Sequence, residues 1–495
     1  MTDCQEACGL QKEKKAEKRE SLRPADFSDA GNAAVFSRFL RNDLVYTDAL
    51  GWFWWNGKKW ERGNHKAAAW AMAFSERMLR EADAALQEAQ VKRAELLMAT
   101  AQHPESADAR ELESAALALR GAVAFRRHAQ KLRNARQLNN MVELSKPALV
   151  LKADKLDANP FDLNTPAGIV NLTTGELRPH DRAALCSRMT NASPGSQGAE
   201  MWIQFLESVT CGDWQVQGFL QTVAGMALIG AVYQEGIVIA YGVGSNGKST
   251  LFNALAEVLG DYAGTIDIRT LTTDRSNKGA ALATLRGKRL VITGELEEHQ
   301  RLSVATLKQV GSTDRLNIEE KFKQPESVKQ THTLVLFTNH LPRVDSTDAG
   351  TWRRLTVVPF NATFSPQECV QNYGETLAKE AGGAILAWAI QGAGKFIQNG
   401  YKLCLPESVK KVTEASRKQE DWLASFIREC CVRQPTAKAG ARNLYLAYKS
   451  WAMETGEYVR RENDFSAAMT AAGFEKVKIS GKPTYQGLFV DNRSP

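Results

Sequence analysis

The spacing of apolar and polar positions changes several times along the first 150 residues, and each change predicts a different element. Residues 1–30 are rich in Lys and Glu with few apolar anchors, which predicts a flexible leader. Aromatic positions then alternate around Asn56-Gly57, which is the signal of a β-hairpin. Residues 65–145 are rich in Ala, Leu, Glu and Arg, so they predict long amphipathic helices joined by a loop at 102–108.

Four short apolar runs in the middle of the chain have the length of buried strands. They occupy residues 236–241, 287–294, 333–339 and 355–360. Residues 251–259 place apolar positions at helical spacing and end at Gly260, and residues 202–233 and 370–400 also predict helices. Strands that alternate with helices predict an α/β domain that binds its ligands at the carboxyl ends of the strands.

The last hundred residues predict a separate domain. The pattern indicates a helix over 406–428, a turn-like stretch over 433–440, a helix over 442–454, a second helix from residue 460 and a β-wing over 476–490. Helices followed by a β-wing suit the binding of duplex DNA, for example at an origin. A protein-interaction domain that regulates assembly stays open as the alternative.

Length and composition agree with a multidomain globular protein. A chain of 495 residues is too long for one core and suggests about three domains. The hydrophobic content of 43% and the charged content of 24% are ordinary globular values, so most of the chain should fold. We predict a leader at 1–30, an α+β domain at 31–195, a central domain at 196–400 and a C-terminal domain at 401–495.

Charge, cysteine usage and hydropathy exclude several classes of protein. A net charge of +7 is compatible with nucleic acid but decides little when spread over 495 residues. The eight cysteines form no CxxC pair and no zinc-finger spacing, which favours reduced thiols. The polar start argues against a signal peptide, and Gln221, Gln234 and Glu235 interrupt the most apolar stretch, which argues against a membrane span. We expect a soluble intracellular protein.

Residues 242–250 carry the strongest chemical signal, since they read GVGSNGKST and fit the pattern of a phosphate-binding loop. The loop follows a predicted strand and precedes a predicted helix, which is the context that this pattern requires. Glycines let backbone amides turn towards phosphate oxygens at the positive end of the helix dipole. Lys248 would reach the β- and γ-phosphates of a nucleotide, and the Ser249 hydroxyl would bind Mg²⁺. The candidate nucleotide-binding residues are Gly242, Gly244, Ser245, Asn246, Gly247, Lys248, Ser249 and Thr250.

Polar residues at the ends of the next strands would complete a nucleotide site. Glu295 and Glu297 follow the strand predicted at 287–294, and we prefer Glu295 for orienting Mg²⁺ and the attacking water, with Glu297 second. The sequence leaves open which of them is the base. Asn339 ends the following strand, where it would contact the γ-phosphate or hold the water. Arg353 and Arg354 precede the last strand and suit delivery to a neighbouring subunit's nucleotide, which implies a head-to-tail ring.

These four features, in this order and spacing, resemble the superfamily 3 helicases. The resemblance is to the phage and plasmid primase–helicase group, which is related to the poxvirus primase–helicase. Residues 51–60, 164–177 and those from Asp181 onward resemble the helicase-associated domain of that group. Residues 421–426 and 444–451 resemble its C-terminal winged-helix region, so the resemblance extends over roughly residues 35–490.

The resemblance implies a central AAA+ type ATPase domain that works as a homo-hexameric ring. Such a ring hydrolyses ATP with Mg²⁺ and translocates 3′ to 5′ along single-stranded DNA at a fork, in the cytoplasm of a bacterial host. Lys248, Ser249 and Glu295 would then belong to the site within one subunit, with Asn339 as sensor. Arg354 would be the preferred residue supplied in trans, with Arg353 beside it.

The family also places a DNA-gripping hairpin between the acidic strand and the sensor strand. Lys321, Phe322 and Lys323 lie in this region, and ammonium groups with a flat ring suit phosphate and base contacts. Glu320 departs from the basic residue that relatives often carry, which weakens the expected grip on DNA. We find no paired-aspartate DxD motif before the helicase-associated domain, so primase activity is not expected. A separate primase or a loader is an expected partner.

Two N-terminal features are open to both packing and nucleic-acid contact. The four tryptophans and two lysines within residues 51–60 could stack on bases, although we favour the packing of a small sheet on a helix. The basic stretch at 126–136 could contact a nucleic-acid backbone or form a solvated face. For the whole chain we prefer a replicative helicase over an ATP-dependent initiator or scaffold with weak unwinding. A remodeller that does not act on DNA is the third choice, because it leaves residues 321–323 unexplained.

Overall fold

The computed structural model describes most of the chain in stretches separated by short gaps. These stretches are residues 20–102, 108–272, 278–294, 301–318, 326–340, 349–419, 422–455, 458–479 and 481–491. The described residues form two compact units. Unit 1 comprises those within Met1–Ala158 and Asp181–Ser187, and unit 2 comprises those within Asn159–His180 and Arg188–Pro495.

Unit 1 combines a small antiparallel sheet, ordered β1-β2-β3, with long helices. Its elements are α1 (Asp29–Leu40), β1 (Leu44–Thr47), β2 (Gly51–Trp55), β3 (Trp60–Arg62), α2 (Asn64–Gln102), α3 (Ala109–Leu132) and α4 (Ala135–Ser145). Trp55 pairs with Trp60, so the hairpin predicted from the sequence is confirmed. Trp52 and Trp60 are buried among apolar side chains, so packing accounts for these two tryptophans.

The helices of unit 1 account for residues that the sequence left open. The long helices α2 and α3 confirm the helical prediction for 65–145. Arg126 forms an ion pair with Asp83 at 2.6 Å, so this part of the basic stretch serves the unit itself. Leu22 is 2% exposed, and its amide donates to the carboxylate of Glu81 at 2.9 Å. Leu22, within the stretch predicted as a leader, therefore packs in the core of unit 1, and the boundary at residue 30 stays a prediction.

Unit 2 contains the central α/β portion. Its elements up to residue 398 are β4 (Asp162–Thr165), β5 (Gly168–Asn171), β6 (Leu177–Arg178), α5 (Ala199–Val209), α6 (Trp214–Met226), β7 (Ile237–Tyr241), α7 (Lys248–Leu259), β8 (Ala263–Thr265), α8 (Lys278–Ala283), β9 (Leu290–Thr293), α9 (Val304–Val310), β10 (Leu316–Ile318), β11 (Glu326–Val328), β12 (Thr333–Thr338), α10 (Ala349–Trp352), β13 (Leu355–Pro359) and α11 (Tyr373–Gln398). The helical prediction over 202–233 was too long, since two helices end there at Met226.

Five strands form a parallel sheet in the order β13-β7-β12-β9-β8. β7 contributes Val238 and Ala240 to the core on one face, and Ile237 and Ile239 to the core on the other. Because both faces are covered, this strand is apolar at successive positions rather than at alternate ones. The four strands predicted in the middle of the chain are thus confirmed, and they make unit 2 a mixed α/β unit with a parallel sheet.

A second small sheet, β4-β5-β6, packs within unit 2 and contributes Leu163 and Val170 to its core. The buried Arg289 guanidinium donates to the carbonyl of Asp162 at 2.8 Å and to that of Leu228 at 2.5 Å. It also lies 4.4 Å from the centre of the Tyr262 ring. These contacts place residues 159–180 in unit 2, so the compact units divide the chain differently from the domain boundaries predicted from the sequence, which stay predictions.

The last part of unit 2 has helices and a three-stranded antiparallel sheet ordered β14-β16-β15. Its elements are α12 (Glu407–Gln419), α13 (Trp422–Cys430), β14 (Cys431–Gly440), α14 (Ala441–Glu454), α15 (Glu462–Ala471), β15 (Lys476–Ile479) and β16 (Lys482–Val490). The turn predicted at 433–440 is wrong, because this segment pairs with β16 across an irregularity between Arg433 and Lys438. The structure describes two helices, α12 and α13, where the sequence predicted one over 406–428. β15 and β16 form an antiparallel pair within the segment predicted as a wing.

Two absences hold for the described part of the chain. No helix there is long and apolar enough to cross a membrane. None of the cysteines in these stretches, from Cys186 to Cys431, forms a disulfide.

Candidate nucleotide-binding site

The loop at residues 242–247 joins β7 to α7 and folds around its own lysine. Gly244, Ser245 and Gly247 have φ values of +52°, +41° and +79°, and Gly247 is the N-cap of α7. This left-handed backbone turns the chain sharply from the strand into the helix, a geometry that glycine adopts at little cost. The loop therefore ends at the amino end of a helix, where unpaired amides and the helix dipole favour an anion.

Two of the glycines are required by space. A Cβ atom at Gly242 would lie 2.3 Å from the carbonyl oxygen of Phe360, and one at Gly247 would lie 2.3 Å from Val209 Cγ1. The Asn246 side chain donates to the same Phe360 carbonyl at 3.3 Å, and the Phe364 amide donates to the carbonyl of Ser245 at 2.8 Å. The segment after β13 thus supports the loop from behind and holds it in its bent form.

Lys248 and Asn339 meet inside this loop. Lys248 is 5% exposed, and its Nζ donates to Gly242 O at 2.6 Å, to Asn246 Oδ1 at 2.8 Å and to Asn339 Oδ1 at 3.0 Å. The same Asn339 oxygen accepts from the amide of Gly244 at 3.3 Å. The parallel pairing of β7 with β12 explains this contact, because it brings the carboxyl ends of both strands to one edge of the sheet.

Ser249 and Thr250 face a cavity of about 780 Å³ beside α7. Thr265 and Ile292, at the ends of β8 and β9, line the same cavity, as does Tyr373 at the start of α11. The cavity extends along α7 as far as Gly260 and Ala263, and its lining residues do not include Lys248 or Asn339. Its volume is within the range of ligand pockets, but it adjoins the loop only through Ser249 and Thr250.

The acidic candidates Glu295 and Glu297 lie outside the described residues, while the strand before them is described. β9 ends at Thr293, and β12 lies between it and β7. Two strand spacings therefore separate the end of β9 from the loop, which is about 10 Å.

Arg353 and Arg354 lie at the amino ends of the strands, opposite the carboxyl ends where the loop lies. Arg354 O accepts from the amide of Ile237 at 2.6 Å, so the pair is level with the first residue of β7. Arg354 stands one residue before Leu355, the partner of Ile237, so about six residues of extended chain, about 20 Å, separate it from Gly242. The arginines are therefore distant from the loop within this chain, and they differ in exposure, with 69% of the Arg353 side chain exposed and 14% of the Arg354 side chain.

The candidate DNA-contacting residues Lys321, Phe322 and Lys323 lie outside the described residues. The strands that flank them, β10 and β11, form an antiparallel pair, with Leu316 opposite Val328 and Ile318 opposite Glu326. The pairing agrees with the hairpin expected in this region. Within the described stretches no group of three or more His, Cys, Asp or Glu side chains could hold a metal ion.

Sequence reasoning missed one residue of this region, Glu235. Its carboxylate lies 2.6 Å from Arg354 Nη2 and 3.9 Å from Arg353 Nη2. In the sequence Glu235 is visible only as a charge that interrupts an apolar stretch, because its arginine partners are more than a hundred residues away. A lone acidic residue placed just before a strand predicted to be buried was the available signal.

Two family models match separate parts of the chain. The model described as D5 N terminal like matches residues 33–211. A model described as a family of unknown function, DUF5906, matches residues 240–354. The second match spans the loop, Asn339 and both arginines.

Curated viral proteins are similar to the chain at low identity. L207/L206 of Acanthamoeba polyphaga mimivirus, named as a candidate helicase, is 26% identical over 324 residues, which is 60% of this chain and 33% of that protein. A candidate helicase, 022R of Frog virus 3 (isolate Goorha), is 25% identical over 303 residues, 57% of this chain and 31% of that protein. A candidate primase, C962R of African swine fever virus (isolate Tick/Malawi/Lil 20-1/1983), is 25% identical over 325 residues, 60% of this chain and 34% of that protein. The chain therefore spans about a third of the length of these relatives.

Solved structures of the NrS-1 C-terminal region also match. One apo structure has a TM-score of 0.39 and 16% identity, covering 60% of this chain and 77% of that chain. An apo structure described as the A form has a TM-score of 0.36 and 15% identity, covering 61% of this chain and 78% of that chain.

Proposed function

Because the chain is a member of the D5-like primase–helicase family, we propose that it is an ATP-dependent replicative DNA helicase of a phage, plasmid or other mobile element. The observation that carries the proposal is the contact of Lys248 Nζ with Asn339 Oδ1 at 3.0 Å. This contact joins the ends of two parallel strands at the point where an anion would meet a helix terminus. The names of the viral relatives, helicase and primase, support the same class of activity.

ATP and Mg²⁺ fit the donor groups present. Lys248 would leave its loop carbonyl and bind the β- and γ-phosphates, while the loop amides hold their oxygens. Ser249 and Glu295 would hold Mg²⁺, which when bound supplies positive charge to the phosphate oxygens. The spacing of about 10 Å between the ends of β7 and β9 suits this arrangement. Glu295, with Glu297 as the alternative, would orient the attacking water, and Asn339 would hold the γ-phosphate or that water.

An arginine that acts on the nucleotide of a neighbouring subunit requires an assembly such as a ring, and the position of Arg353 and Arg354 at the amino ends of the strands favours one. Arg353 and Arg354 lie about 20 Å from the loop of their own subunit, so they can serve only a nucleotide bound elsewhere. We propose an AAA+ type homo-hexamer in which each subunit supplies this pair to the next. Arg353 is our preferred finger, which reverses the order expected from the sequence, because Arg354 is largely buried and held by Glu235 and by the carbonyl of Gly350 at 2.8 Å.

DNA would be bound at two places. Lys321, Phe322 and Lys323, between β10 and β11, would contact single-stranded DNA in the ring and move it 3′ to 5′ at a fork. The C-terminal part from α13 to β16 has the helix, strand, helix, helix and hairpin order of a winged helix, and it would bind origin duplex DNA. A separate primase or loader would complete the replication machinery in the cytoplasm of a bacterial host.

The C-terminal arrangement also favours a second candidate function. An origin-binding initiator or DNA-binding scaffold would use the same hairpin sheet and the same ATPase site, but it would unwind weakly or not at all. The two functions make the same contacts with ATP and differ in the fate of the duplex.

A strand-displacement assay on a forked duplex distinguishes them. With ATP and Mg²⁺, a helicase releases the labelled strand, and a Lys248→Ala variant does not. Hydrolysis of ATP that depends on single-stranded DNA but releases no strand would contradict the helicase proposal and favour the initiator. Electron micrographs with an ATP analogue and DNA would test the six-membered ring directly.

A further inference from the structure

At the sheet edge opposite the loop, the carboxylate of Glu235 joins three separate segments. Its Oε2 accepts from Arg354 Nη2 at 2.6 Å and lies 3.9 Å from Arg353 Nη2. Its Oε1 accepts from the amide of Thr313 at 3.3 Å and from the Thr313 hydroxyl at 3.4 Å. The side chain of Glu235 is 29% exposed, so the junction is partly shielded from water.

Strand pairing fixes two of these segments side by side. Glu235 stands two residues before β7, and Arg354 stands one residue before β13, which pairs with β7. The amide of Ile237 donates to Arg354 O at 2.6 Å, so the backbones are in contact at this level. β7, which begins two residues after Glu235, leads directly into the loop before Lys248. Glu235 is therefore linked through β7 to the nucleotide loop of its own subunit. It is also paired with the arginines that we propose act on the nucleotide of the neighbouring subunit.

The third segment leads to the candidate DNA hairpin. Thr313 lies between the end of α9 and Leu316, the first residue of β10. Its bonds to Glu235 are longer than the bond from Arg354, which is short and joins two charges. All of these bonds end on the carboxylate, but only the arginine bond joins two opposite charges at short distance, so the longer Thr313 bonds are the weak side of the junction. A pull on the arginine segment would break them first.

We propose that Glu235 is a positioning residue that couples the arginine pair to the β10–β11 hairpin. The inference rests on the proposed function, in which Arg353 reaches the nucleotide of the neighbouring subunit. When Arg353 turns towards that phosphate, Arg354 and Glu235 follow as a pair and the Thr313 bonds break. The start of β10 is then released, and the state of one subunit's nucleotide reaches the next subunit's DNA hairpin.

Hydrogen exchange on the full chain tests this link without relying on catalysis. We compare the wild type with Glu235→Gln, whose amide has one acceptor oxygen and no charge and cannot serve both partners. Without nucleotide, the variant should exchange the Thr313 amide about fivefold faster than the wild type, as expected for the loss of one hydrogen bond. With Mg²⁺ and a non-hydrolysable ATP analogue, exchange at 311–318 should rise in the wild type and stay unchanged in the variant.

A matched control removes an ion pair of the same length elsewhere. Asp83→Asn breaks the 2.6 Å pair with Arg126 in unit 1 and should leave exchange at 311–318 as in the wild type. A steady-state readout accompanies the exchange. Glu235→Gln should lower kcat for ATP hydrolysis about tenfold with KM within about twofold, because the arginine acts on the transition state rather than on ATP binding.

The outcomes separate the two proposals. Wild-type exchange at 311–318 in Glu235→Gln without nucleotide would overturn the link. So would a rise on nucleotide binding that the variant retains. If the analogue fails to protect residues 242–250 in the wild type, the proposed function fails, and the nucleotide-free comparison still decides whether Glu235 holds Thr313.

Discussion

The two ends of the strands in the parallel sheet of unit 2, called here the carboxyl edge and the amino edge, are built in different ways. At the carboxyl edge the loop at 242–247 is one continuous segment, and its shape follows from glycines at fixed spacing. At the amino edge the junction of Glu235, Arg354 and Thr313 draws on three segments far apart in the chain. At the first edge the backbone of the loop helps to hold the Lys248 ammonium group. At the second edge the Glu235 carboxylate holds the Arg354 guanidinium. Changes at the first edge should remove activity, and changes at the second should alter its control.

The largest effect is expected from Lys248→Ala. This change removes the ammonium group at the centre of the loop, so ATP turnover should fall below detection in a steady-state phosphate-release assay. Lys410→Ala, on the exposed face of α12, is the matched control and should keep wild-type turnover. Retained turnover in Lys248→Ala would remove the assignment of the nucleotide site.

The second prediction concerns the amino edge. Arg353→Ala should lower kcat for ATP hydrolysis about 10³-fold with little change in KM, as for arginines that neutralise phosphoryl-transfer charge. Mixing the variant with Lys248→Ala subunits should restore part of the activity, since each mixed seam can pair an intact loop with an intact arginine. A wild-type kcat in Arg353→Ala would show that Arg353 is not the finger, and the same loss would then be sought in Arg354→Ala.

The third prediction concerns His332, a buried residue directly before β12. Burial lowers the pKa of its imidazole to about 4, and a weaker contact with the backbone of Val310 acts in the opposite direction. In the unfolded chain the pKa is near 6.5, so as pH falls below about 6.5 the unfolded state binds a proton that the folded state refuses. This stability is fully present above pH 6.5 and is lost as pH falls towards 4. The loss amounts to about 3 kcal/mol in the free energy of unfolding.

Denaturant titrations at several pH values check this. In His332→Gln the free energy of unfolding should change less between pH 6.5 and pH 4 than in the wild type. His65→Gln, at the exposed start of α2, should leave this pH dependence unchanged. Equal slopes in the wild type and His332→Gln would show that this imidazole does not set the acid stability.

The smallest effect is expected from Asn339→Ala at the carboxyl edge. It removes one acceptor of Lys248 and of the Gly244 amide, so kcat should fall about tenfold, the value of one charge-assisted hydrogen bond. Asn134→Ala, whose exposed side chain makes no capping bond, serves as the control. A higher KM with an unchanged kcat would indicate that Asn339 shapes the loop without acting on the transition state.

The sequence predicts the carboxyl edge well and the amino edge poorly, for a physical reason. The loop, its strand and its helix are local, and local spacing determines them. The contact between Lys248 and Asn339 needed only the assumption that the strands are parallel. Glu235 could not be assigned, because its partners depend on the register of β13 with β7 and on the path from α9 to β10. No periodicity in the sequence encodes such a register.

Some errors were local as well. Residues 433–440 contain Pro435 and Gly440, which favour a turn by composition. Tertiary pairing with β16 overrides this preference, and the irregularity between Arg433 and Lys438 accommodates the proline. Leu22 shows the reverse case, since a single apolar residue in a polar stretch carries no periodic signal yet is buried.

The buried Arg289 determines where the central part of this protein can be cut. A truncated protein that begins at residue 196 would lack the carbonyl of Asp162, and the Arg289 guanidinium would be left inside the protein with an unmet donor. A truncation at residue 159 keeps that carbonyl, together with Leu163 and Val170. Any attempt to produce the proposed ATPase part alone should therefore start before β4, even though the loop at 242–247 comes eighty residues later.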